Sequence, residues 1–204
     1  MHTSLTTRTA SWLIQKSWRQ AFLLIFWGGL LGAAQAQSSG VTGPNAAYTR
    51  PEVAGLGGVV PNAPARLRVW GFDVYDARLW TPRGFRHSLA MQQPFALELQ
   101  YLRKLEGAAI ASRSVEEMRR LGSFTDAQAQ SWLTAMRELF PNVSAGERIT
   151  GINVPGEGAE FWVNGHRVGM VKDVTFARLF FGIWLDERTS EPKMRAQLLQ
   201  GLQP

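Results

Sequence analysis

Arginine, tyrosine and carboxylate are the residue types through which this chain could do chemistry. Arg66 and Arg68 lie two apart, just ahead of a strand-like run that carries Tyr75, and Tyr101 closes a second such run. A guanidinium offers fixed positive charge to a carboxylate or a developing oxyanion, and a phenol offers a hydrogen bond or a proton. Either Arg66 or Arg68 with Tyr75, beside Tyr101 and Trp184, could hold a small anionic molecule at the mouth of an aromatic-rich cleft. Other chemistries lose support quickly. His87 and His166 fall in expected loops or turns with no further ligand at i+2, i+3 or i+4, so no metal site is expected. Glu116 and Glu117 are neighbours on an expected helix and point about 100° apart, which suits a solvated face better than an acid–base pair. No Gly-x-Ser-x-Gly elbow is present. The chain contains no cysteine, which excludes thiol nucleophiles, thiolate metal sites and disulfide scaffolds. Gly55-Leu56-Gly57-Gly58 lacks the Lys-Ser/Thr of a phosphate cradle and reads as a turn, and no cofactor is expected.

Residues 1–36 are expected to be a cleaved secretory signal. Arg8, Lys16 and Arg19 precede the apolar run Ala21 to Ala34, and Ala34-Gln35-Ala36 supplies the cleavage pattern. That run is shorter than the roughly 20 residues a bilayer span needs, and no later segment is long enough. The mature chain is therefore expected in a periplasm of Gram-negative type, without a membrane span. The signal takes three of the 22 basic residues and none of the 16 acidic ones, leaving a net charge of +3 against +6 for the whole chain. So small a charge, spread along the chain, argues against a nucleic-acid partner. Residues 37–56 are rich in Gly, Pro, Ser, Ala and Asn and read as a flexible arm; residues 57–204 are long enough for one domain with its own core.

The elements that must position the candidate residues are legible from periodicity. Leu67 to Trp70 and Phe72 to Trp80 are dense in β-formers, with Gly71 permitting a bend between them. Phe95, Leu97, Leu99 and Tyr101 alternate with other residues as a half-buried strand does. A helix over Glu106 to Leu121 turns Ile110, Val115, Met118 and Leu121 inward and Glu116, Glu117, Arg119 and Arg120 outward, ending at Gly122. Thr125 to Gln128 forms a capping box, opening a helix that buries Trp132, Met136 and Phe140 before Pro141. Strand-like residues Arg148 to Val154 and Ala159 to Val163 flank a Pro-Gly turn. Asn164-Gly165 is a type I′ hairpin signal. Asp173 then caps a helix whose stripe is Phe176, Ala177, Phe180, Phe181, Ile183 and Trp184, and Thr189 to Pro192 starts another. Strands joined by short turns, with helices to cover them, imply an α+β domain built on a large antiparallel sheet.

Four blocks resemble the bacterial chalcone isomerase-like family: Phe72 to Trp80, Leu97 to Arg103, Trp132 to Pro141, and Phe180 to Pro192, within a similarity from about residue 57 to 202. The resemblance implies an open-faced β-sandwich, a large antiparallel sheet with helices on one face. It places the family's cleft arginine at Arg66 or Arg68 and its strand hydroxyl at or near Tyr75. The remaining polar roles fall around Ala108, Val115, Ile183 and Trp184, where no matching group stands. The organised network that cyclises a chalcone is thereby incomplete. The expected function is non-catalytic binding of a small, partly apolar, anionic, fatty-acid-like ligand through Arg66, Arg68, Tyr75, Tyr101 and Trp184. The alternatives are an isomerase or lyase acting on an enone, with Arg68 or Arg66 as electrophilic stabiliser and Tyr75 as proton donor, and a module that binds an envelope protein.

Overall fold

A computed structural model describes residues 50–204; the expected signal, and the part of the expected arm before Arg50, lie outside the described residues. In chain order the elements are α1 (Pro51–Ala54), β1 (Val60–Pro61), β2 (Ala65–Val69), β3 (Phe72–Thr81), a 3₁₀ segment (His87–Gln92) and β4 (Phe95–Tyr101). There follow α2 (Gly107–Leu121), α3 (Asp126–Leu139), β5 (Arg148–Val154), β6 (Gly158–Val163), β7 (His166–Val171), α4 (Val174–Leu185) and α5 (Pro192–Leu198). The seven strands make one antiparallel sheet in the order β1-β3-β4-β5-β6-β7, with β2 lying beside the first half of β3. This is the α+β architecture expected.

Alternation decides what each face carries. Leu79, Leu97, Gly151 and Phe161 are register partners across β3 to β6, and they face the helices as the floor of the main core. Onto that floor α4 lays the stripe read from its spacing. Phe176, Phe180, Phe181 and Trp184 are all buried, and the Phe161 and Phe180 rings meet edge to face with centroids 5.1 Å apart. Gly151 permits the close approach, because a Cβ there would stand 3.2 Å from Phe181 and 3.3 Å from Phe161. Asp173 starts α4 by accepting from the backbone N–H of Thr175 and Phe176, and its other oxygen accepts from the Trp132 indole on α3 at 3.0 Å. One carboxylate thus caps a helix and joins it to another. The capping box at Thr125 and Gln128 forms as read.

The opposite face is partly covered as well. Residues 50–56, assigned from composition to the arm, form α1 and a turn packed over Trp80, Ala96 and Ile152, a second small apolar cluster that includes Val53. Beyond the turn, β1 pairs with the end of β3.

Two hairpins close with two-residue turns. Asn164 and Gly165 have φ of 49° and 86°, the positive pair that a type I′ turn requires. The β2–β3 turn has the same signature at Trp70 and Gly71, φ 51° and 83°, but there a bulky aromatic occupies the position that favours Asn, Asp or Gly. A left-handed backbone costs an ordinary L-residue about 1 kcal/mol or more. Trp70→Asn is therefore expected to raise the thermal midpoint by about 2–4 °C, a shift of the size that about 1 kcal/mol produces in a domain this large. Differential scanning calorimetry measures it, and a lower midpoint would show that Trp70 contributes more packing than its turn conformation costs.

Candidate functional site

The residues nominated from sequence divide between the two faces. On β2, Ala65 and Leu67 are buried while Arg66 and Arg68 are exposed, with side-chain exposures of 42% and 65%. A bulge directs their partners. Leu67 pairs with Tyr75 but Arg68 pairs with Asp73, so Val74 is the extra residue and Asp73 returns to the same face as Asp76. Arg66 donates to Asp76 through Nε at 2.7 Å and Nη2 at 2.8 Å, and to Asp73 through Nη1 at 2.8 Å. Arg68 donates to Asp73 through Nε at 2.6 Å. The hydrogen bond from Arg68 holds the Asp73 carboxyl below the usual carboxylate range, and Asp76 holds the Arg66 guanidinium above its own. Neither arginine shares a hollow with Tyr75: the expected pairing across a cleft is replaced by an ion-pair ladder on the outer edge strand.

Tyr75, Tyr101 and Trp184 do come together, on the helix side. The two phenol rings meet edge to face with centroids 6.1 Å apart, and the Trp184 indole donates to the Tyr75 hydroxyl at 3.0 Å. Burial pushes both phenols above their ordinary range, so each stays neutral. Close by lies a group that sequence reasoning placed outward. Glu117 is only 5% exposed, because Arg113 and Arg120 on its own helix and the Ser190 hydroxyl, donating at 2.8 Å, cover its carboxylate. The i,i+4 pair Arg113–Glu117 was the available signal. Burial, then the Glu117 charge, raises the Glu191 carboxyl above its usual range. This corner has carboxylates, a hydroxyl and neutral phenols, but Phe161, Phe180 and Trp184 fill the space behind it. It can hold hydrogen bonds; it does not form an anion pocket.

His166 is exposed at the start of β7, His87 is half-buried at the start of the 3₁₀ segment, and no metal-holding cluster occurs among the described residues. Of the positions that the resemblance aligned with polar roles, Ala108 is exposed and Val115 and Ile183 are half-buried against the core.

A cavity lies on the other face. About 870 Å³ in volume, it is lined by Arg50, Pro51, Val53, Ala54, Gly58, Val59, Pro61 and Trp80. The strap of residues 50–61 supplies every lining residue but Trp80, and four crossed charges clamp the strap down. Arg50 donates to Glu98 on β4 through Nε at 2.6 Å, and Arg148 on β5 donates to Glu52 on α1 at 2.9 Å. Arg148 also stands 3.8 Å from Glu98, and Thr150 Oγ1 lies 3.4 Å from Glu52. Glu52, Glu98 and Thr150 are all buried. Two buried atoms here have no hydrogen-bond partner, Glu52 Oε2 and the Trp80 indole nitrogen. Composition hid Arg50 and Glu52, since a clamp spanning 48 residues to Glu98 and 96 to Arg148 leaves no local pattern.

A family profile described as chalcone isomerase-like matches residues 62–200. An uncharacterized protein of Haemophilus influenzae is 30% identical over 131 residues, 64% of this chain and 63% of that protein, so the match spans somewhat under two thirds of the relative. The crystal structure of an Arabidopsis thaliana fatty-acid binding protein is similar with a TM-score of 0.52 at 17% identity, covering 68% of this chain and 84% of that one. At that identity the likeness concerns the fold.

Glu98→Ala is expected to cost about 3 kcal/mol in chemical denaturation, because it leaves Arg50 without its partner beneath the strap. Glu191→Gln tests the other face. A carboxyl with a raised folded-state pKa binds its proton more tightly folded than unfolded, so stability falls as pH rises through that window. The substitution is expected to flatten this slope and to stabilise the protein at neutral pH. A pH series of unfolding midpoints measures it, and an unchanged slope would remove Glu191 as its source.

Proposed function

The chain belongs to the chalcone isomerase-like family, and on that premise we propose that it is a non-catalytic, exported member that binds a small, partly apolar, anionic molecule of fatty-acid type in the groove along the strap of residues 50–61. The observation that carries this reading is the cavity of about 870 Å³ with Val53, Val59, Pro61 and Trp80 on its walls and Arg50 at its edge. Small-ligand sites are mostly apolar, with a few polar groups to orient the occupant, and run to roughly 300–1,000 Å³. Glu98 engages Arg50 through Nε and Nη2. A guanidinium has more donors than one carboxylate consumes, so Arg50 could also meet a ligand's acid group. The clamp carries two cations and two anions, so the apolar wall supplies most of the affinity and the guanidinium sets orientation. The fatty-acid binding protein of similar fold supports the ligand class, though not the place, which comes from this chain's own groove. The cleavage pattern at Ala34-Gln35-Ala36 supports export, and with it a periplasmic location.

The enzymatic alternative asked for Arg66 or Arg68 beside Tyr75, but Asp73 and Asp76 hold both arginines on the outer edge strand, which leaves Tyr75 alone. Its phenol accepts from Trp184 and burial pushes it away from ionisation, so as a proton donor to an enone it would be weak.

Native mass spectrometry of protein purified from the periplasm tests the reading. The expected spectrum shows an amino terminus after Ala36 and a bound long-chain acid. Ala54→Trp, which fills the groove from an exposed position, is expected to lose the acid, and the Arg66→Ala/Arg68→Ala pair to keep it. Equal retention in Ala54→Trp would overturn the site, and a spectrum without any acid the ligand class.

A further inference from the structure

Given the groove reading above, on which this rests, we propose that the Trp80 indole N–H is a second polar contact for the occupant. The preferred ligand is then an acid that carries a further oxygen along its chain, a hydroxy or oxo acid. Trp80 is buried and stands on the groove wall, yet its Nε1 has no hydrogen-bond partner. The indoles of Trp132, Trp162 and Trp184 each have one: they donate to Asp173 at 3.0 Å, to Glu160 at 2.7 Å and to Tyr75 at 3.0 Å. A buried donor left unpaired keeps its full desolvation penalty, and phenylalanine would fill an apolar wall without it.

The surroundings of the ring offer no acceptor side chain. Trp80 packs with Val53, Ala96 and Ile152, and Leu56 and Val59 lie against the same cluster. The other unpartnered atom near the strap, Glu52 Oε2, differs in kind. Its carboxylate is engaged through Oε1, which accepts from Arg148 at 2.9 Å, and Glu52 is not a lining residue. An indole has a single donor, so the acceptor for Trp80 comes from the occupant. Arg50, at the groove's edge, takes the acid group. A plain alkyl chain beyond it would leave the Trp80 N–H unpaired, whereas an oxygen on that chain would pair it. A site built to hydrogen-bond such an oxygen discriminates against the analogue that lacks it. Because Nε1 is closed off from solvent, the strap's turn must yield to admit the oxygen. Gly57 and Gly58 carry that turn at φ 69° and 76°, and no atom stands within 4 Å of where either side chain would begin, so the turn has room to move.

Isothermal titration calorimetry of protein purified from the periplasm tests this, comparing dodecanoate with hydroxy- and oxododecanoates substituted at successive carbons. At least one of the oxygenated acids is expected to bind about tenfold more tightly than dodecanoate, the gain from pairing one buried donor. In Trp80→Phe, which keeps a ring on the wall and removes the N–H, the same two acids are expected to bind alike. The Trp80 indole signal of the nitrogen-labelled parent chain gives a second readout: the oxygenated acid is expected to move it further downfield than dodecanoate does. Equal binding of the whole series, a margin that survives in Trp80→Phe, or an indole signal indifferent to the added oxygen would each overturn this contact and leave the groove standing. A protein that binds none of the acids would overturn the groove reading, and this contact with it.

Discussion

The contact between α4 and the middle of the sheet decides what space the molecule has. Phe176, Phe180, Phe181 and Trp184 enter the core from one helix, and Gly151 and Phe161 receive them. Burying four such side chains contributes about 10 kcal/mol before entropy is counted, which is of the order of a domain's whole net stability. The rings also close the side of the sheet on which a ligand cleft was expected. Phe95 meets Phe181 at 4.9 Å and Trp184 meets Phe180 at 5.5 Å, so aromatic packing continues across the floor. The cavity lies instead along the strap of residues 50–61, with Trp80 of the sheet's other face on its wall.

The two faces use charge differently. On the outer edge strand, Arg66 and Arg68 meet Asp73 and Asp76 in solvent, where ion pairs contribute little to stability but fix side-chain direction. Under the strap, the Arg50, Glu52, Glu98 and Arg148 charges sit largely out of water, where each depends on its neighbours. A buried arrangement of this kind specifies one docking position for α1, since any slip leaves a charge unpaired.

Local chemistry made much of the fold legible. Asn164-Gly165, the Thr125 capping box and the Asp173 cap each depend on residues within four positions, and each forms as its pattern says. The stripe on α4 was readable because one period describes it. The candidate site was less so, for two physical reasons. A single bulged residue, Val74, turns Asp73 toward the two arginines, and no propensity announces a bulge. The clamp joins segments far apart in the chain, so Arg50 and Glu52 look like ordinary residues of a polar arm. Glu117 lies between these cases: its partner Arg113 is on the same helix, but Ser190, which helps to cover it, is not.

The buried four-charge clamp also bears on the sequence of events during heating. Hydration of ions becomes less favourable as temperature rises, so the desolvation penalty of such a cluster shrinks while apolar burial levels off. Relative to its surroundings, the strap is held better hot than cold. Cooling should therefore favour release of residues 50–61, so the groove along them would be most easily opened in the cold.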